Sequence, residues 1–344
     1  MRHRIVWCVV PLAVALGGCA GKSPTDAAGD PFIPGPPLSA GVRVALTDIG
    51  NRTYAGFTGG LFPNGSNVMP AGHAAVGAAR AAAVRTRDAN GSLAPNGRYV
   101  LLSIGMSNTT QEYSAFMTLA AGDAAVDRTR LVIVDGAAGG RTASTWTSPT
   151  SAEYDRIRTQ VLQPRGLAET QVAVVWLKVA NPGPTRALPD TASDGFLLVR
   201  QQGEILRALR SRYPNLQQVF VSSRVYAGYA STTLNPEPYA FESGFSAKWL
   251  IEAQITQMTG GGVDVRAGNL DYGSVAPWVS WGPYLWASGT TARLDGLSWA
   301  VSDFAADGTH PSLVGRDKVA NLLLSFLKTS LHSRCWFLAG QTCP

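Results

Sequence analysis

From Tyr99 onward, short and nearly continuous apolar runs alternate with segments of helical periodicity, and this alternation restricts the architecture more than any other feature. Strands are expected at 99–105 (Tyr-Val-Leu-Leu-Ser-Ile-Gly), 131–135, 172–179, 217–223 and 276–281. Helices are expected over 71–84, 110–121, 152–162, 194–212, 245–258 and 312–329. Strands apolar on both sides must be covered on both faces, and helices between them supply the crossovers of a parallel sheet. The reading is α/β, a three-layer α/β/α sandwich around a mostly parallel five-stranded sheet, with long loops. Ligands of such sheets bind at the carboxyl ends of the strands. Residues 42–98 read as an irregular N-terminal extension packed on a catalytic domain at 99–330, and 331–344 as a C-terminal tail.

Hydrophobic residues make up 45% of the 344-residue chain and charged residues 15%, enough for a large core and too apolar for disorder. The formal charge is +6, yet the arginines are scattered and form no basic stripe interleaved with aromatics. Nucleic acid is therefore not an expected partner.

The first residues read as a targeting segment. Met1-Arg-His-Arg4 is a positive start, and the apolar stretch 5–16 is too short to span a membrane comfortably. It ends in Leu16-Gly17-Gly18-Cys19, which resembles the lipobox of bacterial lipoproteins. That resemblance implies a signal peptide at 1–18, lipidation of Cys19, a flexible tether over 19–41, and an exported protein attached to a membrane by its lipid. With Ala20 rather than Asp after the cysteine, it implies the outer membrane. Of the four cysteines, Cys8 falls within the leader, leaving Cys335 and Cys343 to pair in an oxidising compartment. His73, His310 and His332 form no ligand-like cluster, so neither a metal nor another cofactor is expected.

Ser107 follows the run 99–105 after a single residue, Met106, and two hundred residues later Asp307-Gly-Thr-His310 precedes an amphipathic stretch. A serine nucleophile needs an imidazole to take its proton, and a carboxylate to hold that imidazole in one tautomer. Each residue also has an ordinary reading. A serine after a strand commonly caps a helix, Asp-Gly commonly turns, and His73 is a second imidazole that could serve as base or merely pack. Gly140 competes with Gly136 and Gly139 as the backbone donor of an oxyanion hole, and Asn181 before Pro182 fits a turn as well as a site.

Taken in order along the chain, these residues resemble the four blocks of the SGNH hydrolases, the GDSL esterase/lipase superfamily. Gly105-Met106-Ser107 stands where that family has Gly-Asp-Ser; Gly140 lies five residues past the second strand. Asn181 matches one position of the third block, whose aspartate is here Pro182, and Asp307–His310 matches the last block in full. The resemblance implies a flavodoxin-like SGNH fold and a catalytic triad of Ser107, His310 and Asp307. It also implies an oxyanion hole formed by the Ser107 and Gly140 amides with the Asn181 side chain.

The expected activity is hydrolysis of a carboxylic ester through an acyl-enzyme. The aromatics Trp146, Tyr226, Tyr229, Tyr239, Trp278, Trp281, Tyr284, Trp286 and Trp299 invite a sugar platform, hence an O-acetyl esterase acting on carbohydrate. A lipase or short-chain carboxylesterase is the alternative within the same chemistry. A non-catalytic carbohydrate-binding envelope lipoprotein is the alternative outside it.

Overall fold

A computed structural model describes residues 34–39 and 41–343. Its frame is a five-stranded sheet of β1 (Tyr99–Gly105), β2 (Leu131–Asp135), β3 (Val172–Lys178), β4 (Gln218–Val221) and β5 (Trp278–Trp281). The strand order is β2-β1-β3-β4-β5 and every pairing is parallel. The two faces divide the residues of β1 by the period of two that a strand imposes. Val100, Leu102 and Ile104 enter one core with α3 (Asp194–Arg212) and α4 (Tyr239–Met258). Tyr99 and Leu101 enter the other, with α1 (Ala71–Ala82), α2 (Ser107–Gly122) and α5 (Leu313–Thr329). The sandwich expected from the alternation is thus formed, and its sheet is parallel throughout.

Element boundaries depart from expectation in instructive places. Helix α2 starts at Ser107 rather than 110, so the serine lies inside the first turn. Helix α4 starts at Tyr239, six residues before the expected 245, because the polar and small residues Glu242, Ser243 and Gly244 are buried there instead of facing water. The stretch 152–162 is an α-helix only to Arg156 and continues as a π-helix, Ile157–Leu162.

The extension packs on the β5 side of the sheet. Trp281 Nε1 donates to Leu61 O (2.6 Å), and Lys248 Nζ donates to Thr58 O and Gly59 O (both 2.7 Å). Residues 35–38 belong to this packed body, contrary to the tether expected through residue 41. Gly35 N donates to Asn51 O and Leu38 N to Thr53 O, both at 2.7 Å. The signal peptide, Cys8, Cys19 and the start of the tether lie outside the described residues. At the other end, Cys335 and Cys343 form the expected disulfide.

Candidate active site

Loops leaving the carboxyl ends of four strands, together with the turn 307–310, build the site. The first leaves β1. Ser107 is the first helical residue of α2, and the extended residue before it, Met106, has its N–H accepted by Thr109 Oγ1 (3.3 Å). Thr109 Oγ1 donates in turn to Lys178 O (2.7 Å), so the third helical residue serves the backbone at the helix start and the Ser107 hydroxyl takes no part in it. That hydroxyl lies 2.8 Å from His310 Nε2. The same position leaves the Ser107 N–H without an intrahelical acceptor, as for any first-turn amide, and at the positive end of the helix dipole.

The second loop is the turn 307–310. Asp307 Oδ2 lies 2.5 Å from His310 Nδ1, and Oδ1 accepts from the Thr309 and His310 amides (both 2.9 Å). Burial pushes the Asp307 carboxyl up, but the His310 ring and the two amides outweigh it and hold the pKa below the usual range. The carboxylate is therefore ionised wherever the imidazole needs it. Gly308 has φ +61°, and a Cβ there would meet Tyr229 O at 1.9 Å. Only glycine fits this turn against its neighbour. The two loops are tied together: Asn108 Nδ2 donates to Thr309 O at 2.8 Å, both residues being buried.

The third element follows β2. Asp135 accepts from Ser103 Oγ and Thr110 Oγ1, and from the Ala137 amide at 3.0 Å, which organises the turn after the strand. Of the candidate glycines, Gly140 lines the same cavity as Ser107 and His310, in a left-handed conformation at φ +75°. Gly136 and Gly139 do not line it. Asn181, three residues past β3, lines it too, and its Nδ2 donates to Gln201 Oε1 at 2.6 Å. That bond fixes the side chain and uses one of its two amide hydrogens.

The cavity measures about 300 Å³, with Met106, Ala180, Pro182 and Leu234 among its apolar walls and Arg224 and Asn235 among its polar groups. A cavity of about 430 Å³ around Phe57, Phe196, Trp249 and Arg266 shares no residue with it. His73 is not brought to the site. It is buried against Trp278, with Nε2 3.0 Å from Val279 O, and burial lowers its pKa to about 4. A neutral ring donating to a carbonyl is a packing element, not a base. The aromatic platform does not form at the cavity either. Trp146, Trp278, Trp281, Tyr284, Trp286 and Trp299 are buried in the cores, and none of the nine rings lines the cavity.

Sequence reasoning passed over the charges beneath the site. Lys178 and Glu112 form a fully buried pair (Nζ to Oε1 2.6 Å and Oε2 2.5 Å), in which desolvation lowers the lysine pKa to about 8. A lysine closing an otherwise apolar strand was the available signal. Arg224, three residues beyond β4, was passed over as well.

The chain matches no protein-family model and no curated protein. Among solved structures, it resembles an acetyl-xylooligosaccharide esterase from Geobacillus at 16% identity, covering 69% of this chain and 96% of that one, with a TM-score of 0.37. It also resembles a protein classed as a GDSL-like lipase from Parabacteroides merdae (14% identity, 66% of this chain and 94% of that one, TM-score 0.36). A third is an extracellular lipase from Streptomyces rimosus (14% identity, 66% and 99%, TM-score 0.30). Likeness at this level assigns no activity or substrate to the present chain.

Proposed function

We propose that the protein is a serine ester hydrolase of the SGNH type, in which Ser107, His310 and Asp307 carry acyl transfer. The observation that carries the proposal is the continuous chain of contacts from Ser107 Oγ to His310 Nε2 (2.8 Å) and from His310 Nδ1 to Asp307 (2.5 Å). In such a reaction Ser107 Oγ attacks the ester carbonyl carbon while its proton passes to Nε2. Asp307 keeps the Nδ1 proton in place and balances the imidazolium. The negative charge on the carbonyl oxygen is met by the Ser107 and Gly140 amides and the Asn181 side chain. Removing one such donor costs on the order of 3 kcal/mol in the transition state. Collapse of the intermediate breaks the bond to the alcohol oxygen, which leaves with the proton from Nε2. Water then repeats the sequence on the acyl-serine, releasing the acid and restoring the hydroxyl.

The small volume of the cavity, about 300 Å³, supports short acyl groups, acetyl above all. A carbohydrate alcohol is one candidate for the other half of the ester, although the buried aromatics lend it no support. Export as an outer-membrane lipoprotein anchored through Cys19 remains part of the proposal and rests on the leader alone. A series of 4-nitrophenyl esters from acetate to octanoate tests the chemistry. The expected outcome is a kcat/KM at least tenfold higher for acetate than for octanoate, and loss of turnover by about 10³-fold or more in Ser107→Ala. Activity that survives Ser107→Ala would remove the nucleophile from the account. A preference for octanoate would favour the lipase alternative, and no turnover in the wild type would favour a binding protein.

A further inference from the structure

Three of the buried polar atoms that lack a protein partner belong to two residues lining this single cavity: Nε and Nη2 of Arg224, and Oδ1 of Asn235. Arg224 is 1% exposed. Its backbone is fixed, with the amide donating to Ser243 Oγ at 3.0 Å. Burial lowers the guanidinium pKa, but arginine remains a cation at any working pH. A buried cation without a hydrogen-bonded counter-ion is destabilising, so its neighbourhood asks for an explanation.

The surrounding carboxylates do not supply one. Glu112 is engaged by Lys178 Nζ. Glu237 is engaged by Trp286 Nε1 (2.7 Å) and by the Ala227 and Phe241 amides (both 3.1 Å). Asp307 is engaged by His310. Each lends Arg224 only a longer-range attraction. Among the described residues, Nε and Nη2, the donors along one planar edge of the guanidinium, therefore form a fork with no hydrogen-bond partner, in a residue that lines the cavity with Ser107. That fork matches a carboxylate, which it can bind bidentately.

Resting on the esterase reading of the same site, we propose that the preferred substrate is an ester that itself carries a carboxylate, held by Arg224 while Ser107 attacks the ester carbonyl. Asn235 Oδ1 adds an acceptor for a hydroxyl or N–H of the same molecule. Desolvation makes the contact selective. A neutral ester entering the cavity leaves the guanidinium unpaired, whereas an anionic one satisfies it, and sites built around a buried polar partner reject analogues that lack the matching group.

The carboxylate belongs either to the alcohol or to the acyl half, and two matched pairs separate these. They are 4-acetoxybenzoate against its methyl ester, and 4-nitrophenyl hydrogen adipate against 4-nitrophenyl methyl adipate. For wild type the expected result is a kcat/KM at least tenfold higher for the anionic member of one pair. Arg224→Gln should abolish that preference, the kcat/KM for the anionic member falling to that of its neutral partner, and Arg224→Lys, which keeps the cation, should retain part of it. Equal use of both members in both pairs would overturn the proposal, as would a uniform loss on charged and neutral esters alike in Arg224→Gln. Binding of 4-acetoxybenzoate and its methyl ester to Ser107→Ala by calorimetry separates this from failure of the esterase reading. If no ester is turned over but the anion binds at least tenfold more tightly, the carboxylate site stands without the hydrolase. Equal or weaker binding of the anion overturns it.

Discussion

Ser107 owes its free hydroxyl to its place one residue inside α2, where Thr109 serves the adjoining backbone and His310 is the remaining neighbour. Such single-residue placements also set the protein's response to pH. Glu242 is buried at the start of α4, accepting from the Leu188 amide (3.1 Å) and from the Tyr54 hydroxyl (3.0 Å). Desolvation exceeds the effect of these donors and raises its pKa to about 7, against 4.5 in an unfolded chain. Between those values the folded state holds the extra proton, so the stability from this group is present in full below about 4.5 and is lost as pH rises through about 7. Glu242→Gln should therefore gain on the wild type by on the order of 1–3 kcal/mol between pH 4.5 and pH 8, read from urea midpoints at the two pH values. A constant difference would contradict the assignment. At this scale Ser107, Asp307 and His310 were legible, because chemistry-bearing residues in a meaningful order stand out against apolar surroundings. Arg224 and Glu242 were not. An isolated arginine after a strand, or a glutamate before a helical stretch, carries no mark in the sequence of the burial that gives it a role.

At the scale of elements, the strands are legible because a parallel sheet covered on both faces requires apolar runs, broken in β1 only by Ser103 and in β2 only by its closing Asp135. Helix α4 was read short because its first turn faces the interior with polar and small residues, which reverses the expected pattern. What no local pattern reveals is how two loops from opposite ends of the chain are held in register. Asn108 does so through its bond to Thr309 O, across 201 positions of sequence. Thr309 is held in turn by Thr232, hydroxyl to hydroxyl at 2.8 Å, and Asp307 O accepts from the Ser231 amide at 3.0 Å. Asn108→Ala should lower kcat by about tenfold or more with little change in KM, since it loosens the Ser107–His310 geometry rather than a substrate contact. The unfolding free energy should fall by about 1–3 kcal/mol, from the carbonyl left unpartnered. A rise in KM at constant kcat would place Asn108 in the binding surface instead.

Across the whole molecule, the sheet order brings the ends of β1, β2, β3 and β4 to one edge, and each contributes to the cavity: Ser107, Gly140, Asn181 and Arg224. The partner loop arrives with α5 from the far end of the chain. The C-terminal tail is anchored well away from the cavity, where Tyr99 O–H donates to Trp336 O at 2.6 Å and Trp336 Nε1 donates to Gln218 Oε1 at 3.0 Å. The disulfide of residues 335 and 343 closes a short loop there, worth about 2–3 kcal/mol in the chain-entropy picture. The architecture thus separates stabilisation of the far end from chemistry at the strand ends. Covalent trapping shows whether these strand ends make Ser107 a nucleophile. A fluorophosphonate probe should add one phosphonyl group to the full chain, located by peptide mass spectrometry on Ser107. The labelling rate should fall at least a hundredfold in His310→Ala while the fold is retained. Labelling at another residue, or an undiminished rate without the imidazole, would contradict the account.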